Sequence, residues 1–303
     1  MNRNSLKYIT RFLGIVVLLF TGAPHAWAQL TGLQSMYFEN QYLANPAMAG
    51  LNKGLNLNLG YQQQWTSLPG SPKLEDFTID FNPGNKVGLG LIVNSDISGL
   101  INDTRIMGTY AYHLPVSETA KLNFGLSAGI NDTYIDYGRI SGDQGDASVA
   151  LFNQRKAYFD GDLGIAYTSK GFNAQVAIPN LGSTIFNTQN TNIDVDRATF
   201  YTAVSYLIPL SGQNDSFSVE PKVAYRGIKG FQNIADAGFN LVMNDYHLNL
   251  TGIYHSNQSV TAGVGIDLQP VRLLFSYTNN TGPLHSDANN TFEFGIKYSF
   301  LTK

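Results

Sequence analysis

Residues 291–300 read Thr-Phe-Glu-Phe-Gly-Ile-Lys-Tyr-Ser-Phe. Phe292, Phe294, Ile296, Tyr298 and Phe300 fall on one side of an extended chain, and Glu293, Gly295, Lys297 and Ser299 on the other. A strict period of two is the signature of a strand with two different faces. In a soluble sandwich the apolar face would meet a second sheet and the polar face water. In a membrane barrel the apolar face meets lipid and the polar face lines the lumen. A run of about ten residues is also what a tilted strand needs to cross a bilayer.

The same pattern recurs upstream. Leu55, Leu57, Leu59 and Tyr61 oppose Asn56, Asn58, Gly60 and Gln62; Leu122, Phe124, Leu126 and Ile130 oppose Asn123, Gly125, Ser127 and Gly129. Val87, Leu89, Leu91 and Val93 likewise oppose Gly88, Gly90, Ile92 and Asn94. Fourteen such segments are predicted, near 54–65, 73–82, 86–94, 103–114, 120–131, 157–168, 172–179, 197–208, 216–226, 231–243, 246–255, 259–268, 270–278 and 291–300. Short connections such as 83–85, 169–171 and 269 alternate with longer ones such as 132–156 and 180–196, although 227–230 and 256–258 are short as well. An even strand count with short turns at one end and long loops at the other describes an all-β, antiparallel outer-membrane barrel with both termini on the periplasmic side.

Composition agrees. Of 303 residues only 14% are charged, against roughly 25% in an ordinary soluble domain, while 43% are hydrophobic and 12% aromatic. A mean hydropathy of −0.11 excludes a bundle of apolar helical spans. The absence of cysteine excludes disulfide staples and thiol chemistry. A net charge of −3 leaves no basic stripe for nucleic acid. Arg3, Lys7 and Arg11, the apolar run Phe12–Phe20 and the small-x-small Ala26-Trp27-Ala28 read as a secretory signal peptide over 1–28, cleaved after Ala28. Its removal takes the formal charge from −3 to −6.

Catalytic and metal chemistry find no pattern. His113, His247, His255 and His285 are scattered without zinc spacing, and no GxSxG elbow occurs. Gly88-Leu-Gly and Gly263-Val-Gly lie within strands and read as strand packing. Asp143 and Asp146, with Gly142 and Gly145, offer oxygen ligands without the EF-hand spacing and read as a solvated loop. No cofactor or metal is expected. The sparse charges assigned to the lumen are Asp76, Asp80, Arg105, His113, Asp160, Asp162, Arg197, Glu220, Lys222, Arg226, His247, Arg272, Glu293 and Lys297; opposite signs can pair across a polar interior.

Residues 29–53 do not alternate. Tyr37 to Gly50 combines aromatics with an Asn45-Pro46 turn, in which the ring fixes φ and the Asn side chain bonds its own backbone. This separate segment, ahead of a barrel over 54–303, reads as a periplasmic turn at the barrel mouth, a partner-docking element or a lumen plug.

Here the sequence resembles the PorP/SprF family of outer-membrane proteins associated with type IX secretion in Bacteroidota. The family's hallmark is an aromatic residue ahead of Asn-Pro-Ala-x-Ala-Gly, reproduced by Asn45–Gly50 after Tyr37 and Asn40. Gln64, Trp65, Pro69 and Gly70 follow, then Val87 to Leu91 with Asp96 and Gly99. Farther on come Asp162, Leu163, Gly164, Tyr167 and Phe172, then Ile178 to Leu181, and the terminal strand. The usual Gly-Ser-His-Glu lead-in to that strand is here Asn290, Thr291, Phe292, Glu293, so the family's His has no counterpart.

The resemblance implies a non-enzymatic outer-membrane barrel that docks or anchors a type IX cargo protein, often an adhesin, bearing a C-terminal sorting domain. It further implies links to other secretion, gliding or periplasmic components. Tyr37, Asn40, Asn45, Pro46, Ala47, Gly50 and Trp65 are the partner-binding candidates, and loops 132–156, 180–196 and 279–290 the external contact surface. The alternative is a passive porin or solute channel.

Overall fold

The computed structural model describes residues 38–66, 70–84, 86–140, 146–184, 198–210, 216–228, 232–281 and 290–300. Fourteen antiparallel strands close into one barrel. They are β1 (Gly54–Gln64), β2 (Lys73–Asn82), β3 (Val87–Ser98), β4 (Ile101–Pro115), β5 (Lys121–Ile135), β6 (Tyr158–Thr168) and β7 (Phe172–Ile178). Then follow β8 (Ala198–Tyr206, resumed at Ile208–Pro209), β9 (Phe217–Ile228), β10 (Ile234–Met243), β11 (Leu248–His255), β12 (Ser259–Leu268), β13 (Val271–Asn280) and β14 (Asn290–Phe300). Each strand pairs with its sequence neighbours, and β1 closes on β14 from Leu55↔Phe300 to Gln64↔Thr291. Closure gives each described strand a hydrogen-bonded neighbour on both sides, as a bilayer demands of a spanning sheet.

The polarity is inverted relative to a soluble protein. Along β5, Asn123 (0%) and Ser127 (1%) are buried while Phe124 (39%) and Leu126 (54%) are exposed. Leu59, Leu89, Tyr110, Ile165, Val204, Phe239, Val264 and Phe294 are exposed in the same way. Buried polar side chains must be paired, because an orphaned group costs about 1–3 kcal/mol. The inner wall meets that demand: Asn58 Nδ2 donates to Thr78 Oγ1 at 3.1 Å, Thr109 and Ser127 hydroxyls meet at 2.7 Å, and Asn123 Nδ2 donates to Thr168 Oγ1 at 3.0 Å. Among the described residues, no helix is long and apolar enough to cross a membrane.

The predicted strand centres agree with the observed ones, with differences at the long-loop end. The ladder of β3 and β4 continues through Ser98↔Ile101, so Gly99-Leu100 is a two-residue turn where a loop over 95–102 was expected. Both faces are polar there (Asn94, Ser95, Asp96, Asn102, Asp103, Thr104), and no alternation signals a strand. β5 likewise runs to Ile135, so the expected loop 132–156 begins inside a strand. It then carries helix α1 (Ala147–Asn153), and Asn153 Nδ2 and Oδ1 bond the Ile135 carbonyl and N–H at 2.8 and 2.7 Å. Asp146 caps α1 by accepting from the Ser148 N–H at 2.7 Å, and that bond holds its carboxyl below the usual carboxylate range. After β7, helix α2 (Leu181–Thr184) is tied to the inner wall. Asp162 Oδ1 accepts from the Asn180 N–H at 3.0 Å and Asp160 Oδ1 from the Gly182 N–H at 2.8 Å.

Candidate functional site in the barrel lumen

The segment ahead of β1 lies inside the barrel. Residues 38–53 make two single-turn 3-10 helices, Gln41–Leu43 and Pro46–Met48. Asn45 caps the second through its Oδ1, which accepts from the Ala47 N–H at 2.9 Å, and Pro46 supplies the first helical position with its φ already fixed. Gly50 ends the segment at φ +63°, a conformation that suits glycine. Tyr42, Ala47, Met48 and Ala49 are buried against Ile92, Met107, Ala111 and Ala166 of the wall. Phe38 packs with Ala177, Tyr201, Ala203, Ala224 and Ile253, and Lys222 Nζ stands 5.1 Å from its ring centroid.

Hydrogen bonds fix the segment around the circumference. Asn40 Nδ2 donates to Thr78 Oγ1 at 3.0 Å, and the Tyr42 hydroxyl donates to Thr109 Oγ1 at 2.6 Å. Asn45 Nδ2 reaches the Ile165 carbonyl at 3.3 Å, and Gln41 Oε1 accepts from Asn173 Nδ2 at 2.7 Å. The Ala49 carbonyl accepts from His113 Nε2 at 3.1 Å. The Gly50 N–H donates to Asp80 Oδ2 at 3.0 Å, and its carbonyl accepts from Asn82 Nδ2 at 2.6 Å. Glu39 joins the opposite wall: Oε1 accepts from Asn249 Nδ2 at 2.7 Å, Oε2 from Arg272 Nη1 at 2.8 Å, and its carbonyl from Lys297 Nζ at 3.1 Å.

Glycines on the inner wall make the space. A Cβ at Gly88 would overlap the Ala49 carbonyl, one at Gly90 the Tyr42 hydroxyl, one at Gly125 the Pro46–Ala47 peptide, and one at Gly164 the Asn45 amide. The Gly88-Leu-Gly pair, read from sequence as strand packing, therefore seats this segment.

The candidates from sequence divide. Asn40, Asn45, Pro46, Ala47 and Gly50 are brought together, all buried within the lumen. Trp65 sits apart, just beyond β1 at the long-loop end, with φ 48° and its N–H on the Asn290 carbonyl at 2.7 Å. Tyr37, Pro69, the signal peptide, Gly142, Asp143, Gly145, Arg197 and His285 lie outside the described residues. His247 departs from its inward assignment: it is exposed in the turn between β10 and β11, at φ 53°. In its place His255 faces inward, buried beside Asp236, a pairing between strands that no local pattern reveals.

Two ion-pair groups stiffen the wall. Arg105 Nη2 meets Asp162 Oδ1 at 2.6 Å. Arg226 Nε lies 3.2 Å from Asp236 Oδ2, Asp236 Oδ1 meets His255 Nδ1 at 2.6 Å, and His255 Nε2 meets Thr261 Oγ1 at 2.8 Å. The Thr-His-Asp order superficially resembles a hydrolytic triad. Thr261, however, is fully buried and its hydroxyl is also joined to Thr278 Oγ1 at 2.6 Å, so no substrate carbonyl can approach. The relay holds four strands together. Among the described residues no group of acids and histidines has the geometry to hold a metal ion.

The fold is similar to that of the CymD monoaromatic hydrocarbon channel, with a TM-score of 0.52 and 12% identity over 93% of this chain and 96% of that one. Similarity of lower score extends to the Pseudomonas putida toluene transporter TodX (TM-score 0.49, 8% identity, 90% of this chain and 95% of that one). Acinetobacter baumannii outer membrane protein Omp33 follows, with TM-score 0.47 and 10% identity over 83% and 100% of the two chains. No curated protein matches the chain in sequence. The sequence profile of the type IX secretion system membrane protein PorP/SprF matches residues 27–298, and on that match, which takes in the lumen segment and nearly every strand, the chain belongs to the PorP/SprF family.

Proposed function

We propose that this secretion-associated outer-membrane barrel is a non-enzymatic docking component, closed as a pore and holding a secreted cargo protein at the cell surface. One observation carries this reading: residues 38–50 occupy the lumen and are hydrogen-bonded or packed against strands around most of its circumference. A barrel that spends its interior on its own chain offers its ends for recognition. With short turns facing the periplasm, as bacterial barrels place them, the segment fills the periplasmic half. The long ends of β3, β4 and β5 and helix α1, together with the loops expected over 132–156, 180–196 and 279–290, are then the cargo-binding surface. The periplasmic end is the place for a link to gliding or periplasmic machinery.

Similarity to a hydrocarbon channel concerns the fold. The buried wall here carries Asn56, Asn58, Thr78 and Asp80, which favour water and amide groups over an aromatic hydrocarbon. Affinity purification of the intact barrel in mild detergent should recover one large exported protein bearing a C-terminal sorting domain. Replacing 137–156 by a short Gly-Ser turn should abolish that recovery. Isolation of the barrel alone, with steady conductance in planar bilayers, would instead establish the channel reading.

A further inference from the structure

Glu39 is the one acidic side chain that the N-terminal segment places on the wall, and the wall receives it with a built cradle. Asn249, Arg272 and Lys297 come from β11, β13 and β14, near their short-turn ends. They take both carboxylate oxygens and the main-chain carbonyl of Glu39. Arg272 is held in aim by Asp267 Oδ2 at 2.5 Å, which occupies its second nitrogen. Its side chain remains one-third exposed (33%), so the cradle is reachable from that mouth. A cavity of about 120 Å³ adjoins it, lined by Glu39, Asn40, Asn56, Asp80 and Lys297 among others.

Both halves of the segment have steric and hydrogen-bonded seats, Phe38 and Tyr42 included, and only the first half also carries a charge. Residues 45–50 are locked sterically against Gly125, Gly164 and Gly88 and by Asp80, Asn82 and His113. On its N-terminal side, Glu39 adds the charged attachment. A steric lock has no external substitute. A carboxylate does: another carboxylate can replace it bond for bond, with charge-assisted hydrogen bonds of the same kind.

The geometry points to Asn249, Arg272 and Lys297 as a binding site for a carboxylate of a partner polypeptide, occupied in the free barrel by Glu39 as an internal ligand. An acidic side chain arriving from the short-turn end takes the cradle, displaces Glu39 and loosens the residues beside it, while Tyr42 and 45–50 stay seated as the anchor. This rests on residues 38–50 being the lumen filling, not on the docking of cargo, and its test needs no cargo.

The test uses the whole detergent-solubilised barrel and a dansyl-labelled tetraglutamate peptide. Glu39→Gln should bind the peptide at least tenfold more tightly than wild type, since the internal competitor has lost its charge. Adding Arg272→Gln should abolish the gain, and binding should weaken with salt. Heat-modifiable migration verifies folding of each variant. If a variant fails to fold, the wild type still decides: saturating peptide should speed amide exchange in residues 39–41 and leave 47–50 protected. Equal binding by wild type and Glu39→Gln, insensitivity to Arg272, or exchange of 39–50 as one unit would overturn the inference.

Discussion

Pro46 lies directly on the inner face of Gly125, so close that a Cβ at that position would overlap the Pro46 carbonyl group. Gly125→Val should therefore unseat the N-terminal segment without opening the barrel, since β5 keeps its ladders to β4 and β6. Overpacking a tight contact costs about 1–3 kcal/mol. Limited proteolysis should cut within 38–53 in the variant and not in wild type, while both keep the mobility shift of a folded barrel. Continued protection would mean that the wall yields.

Tyr42 buries its ring beneath Gly90 and Ile92 and gives its proton to Thr109. Burial raises its hydroxyl well above the usual phenol range. A raised acid stays neutral in the seated segment after the released one would ionise. Its contribution is thus complete below about pH 10 and is lost as pH climbs beyond that. Absorbance titration at 295 nm should show a late-ionising phenol that Tyr42→Phe removes. At neutral pH the same variant should loosen the segment by about 0.5–1.5 kcal/mol, measured by amide exchange of residues 40–44.

Leu126 is the most lipid-exposed leucine of β5, midway along the strand, at 54% exposure. Leu126→Arg should destabilise the folded barrel in bilayers by roughly 2–4 kcal/mol, read from reversible urea unfolding. The neighbouring Ser127→Leu acts from the other face, where it crowds Thr109 and displaces a hydrogen bond. It should free the segment rather than weaken insertion. If the two variants behaved alike, the assignment of faces would be wrong.

Arg105→Leu should strand the Asp162 carboxylate inside the wall, where only the Asn180 N–H still serves the same oxygen. Breaking a buried pair this way costs about 3–5 kcal/mol. Arg105→Leu combined with Asp162→Asn should recover much of the loss. A cycle of single and double variants in urea unfolding measures that coupling.

Much of the architecture was legible because one face of each strand needs lipid and the other does not. The alternation of Leu126 with Ser127 is visible one residue at a time. It fades where a strand rises clear of the apolar layer: Asn94, Ser95, Asp96, Asn102, Asp103 and Thr104 are polar on both faces, and β3 and β4 run longer than their pattern. The site was legible in part. Asn45 to Gly50 stands out as a turn, and the family resemblance marked it. Which surface it meets depends on partners such as Ile165, Arg272 and Lys297, more than a hundred residues away, and no local period encodes such contacts. Wall glycines are ambiguous for the same reason, since a missing side chain does not say what fills the gap.

The Glu39 clamp draws on the final strands of the chain, Arg272 in β13 and Lys297 in β14, and β14 also completes the ring by joining β1. The leading residues of the folded chain therefore gain their charged attachment only when the last strands arrive. A molecule truncated before β13 lacks the clamp on Glu39 and a finished one has it, so the fold carries its own certificate of completion.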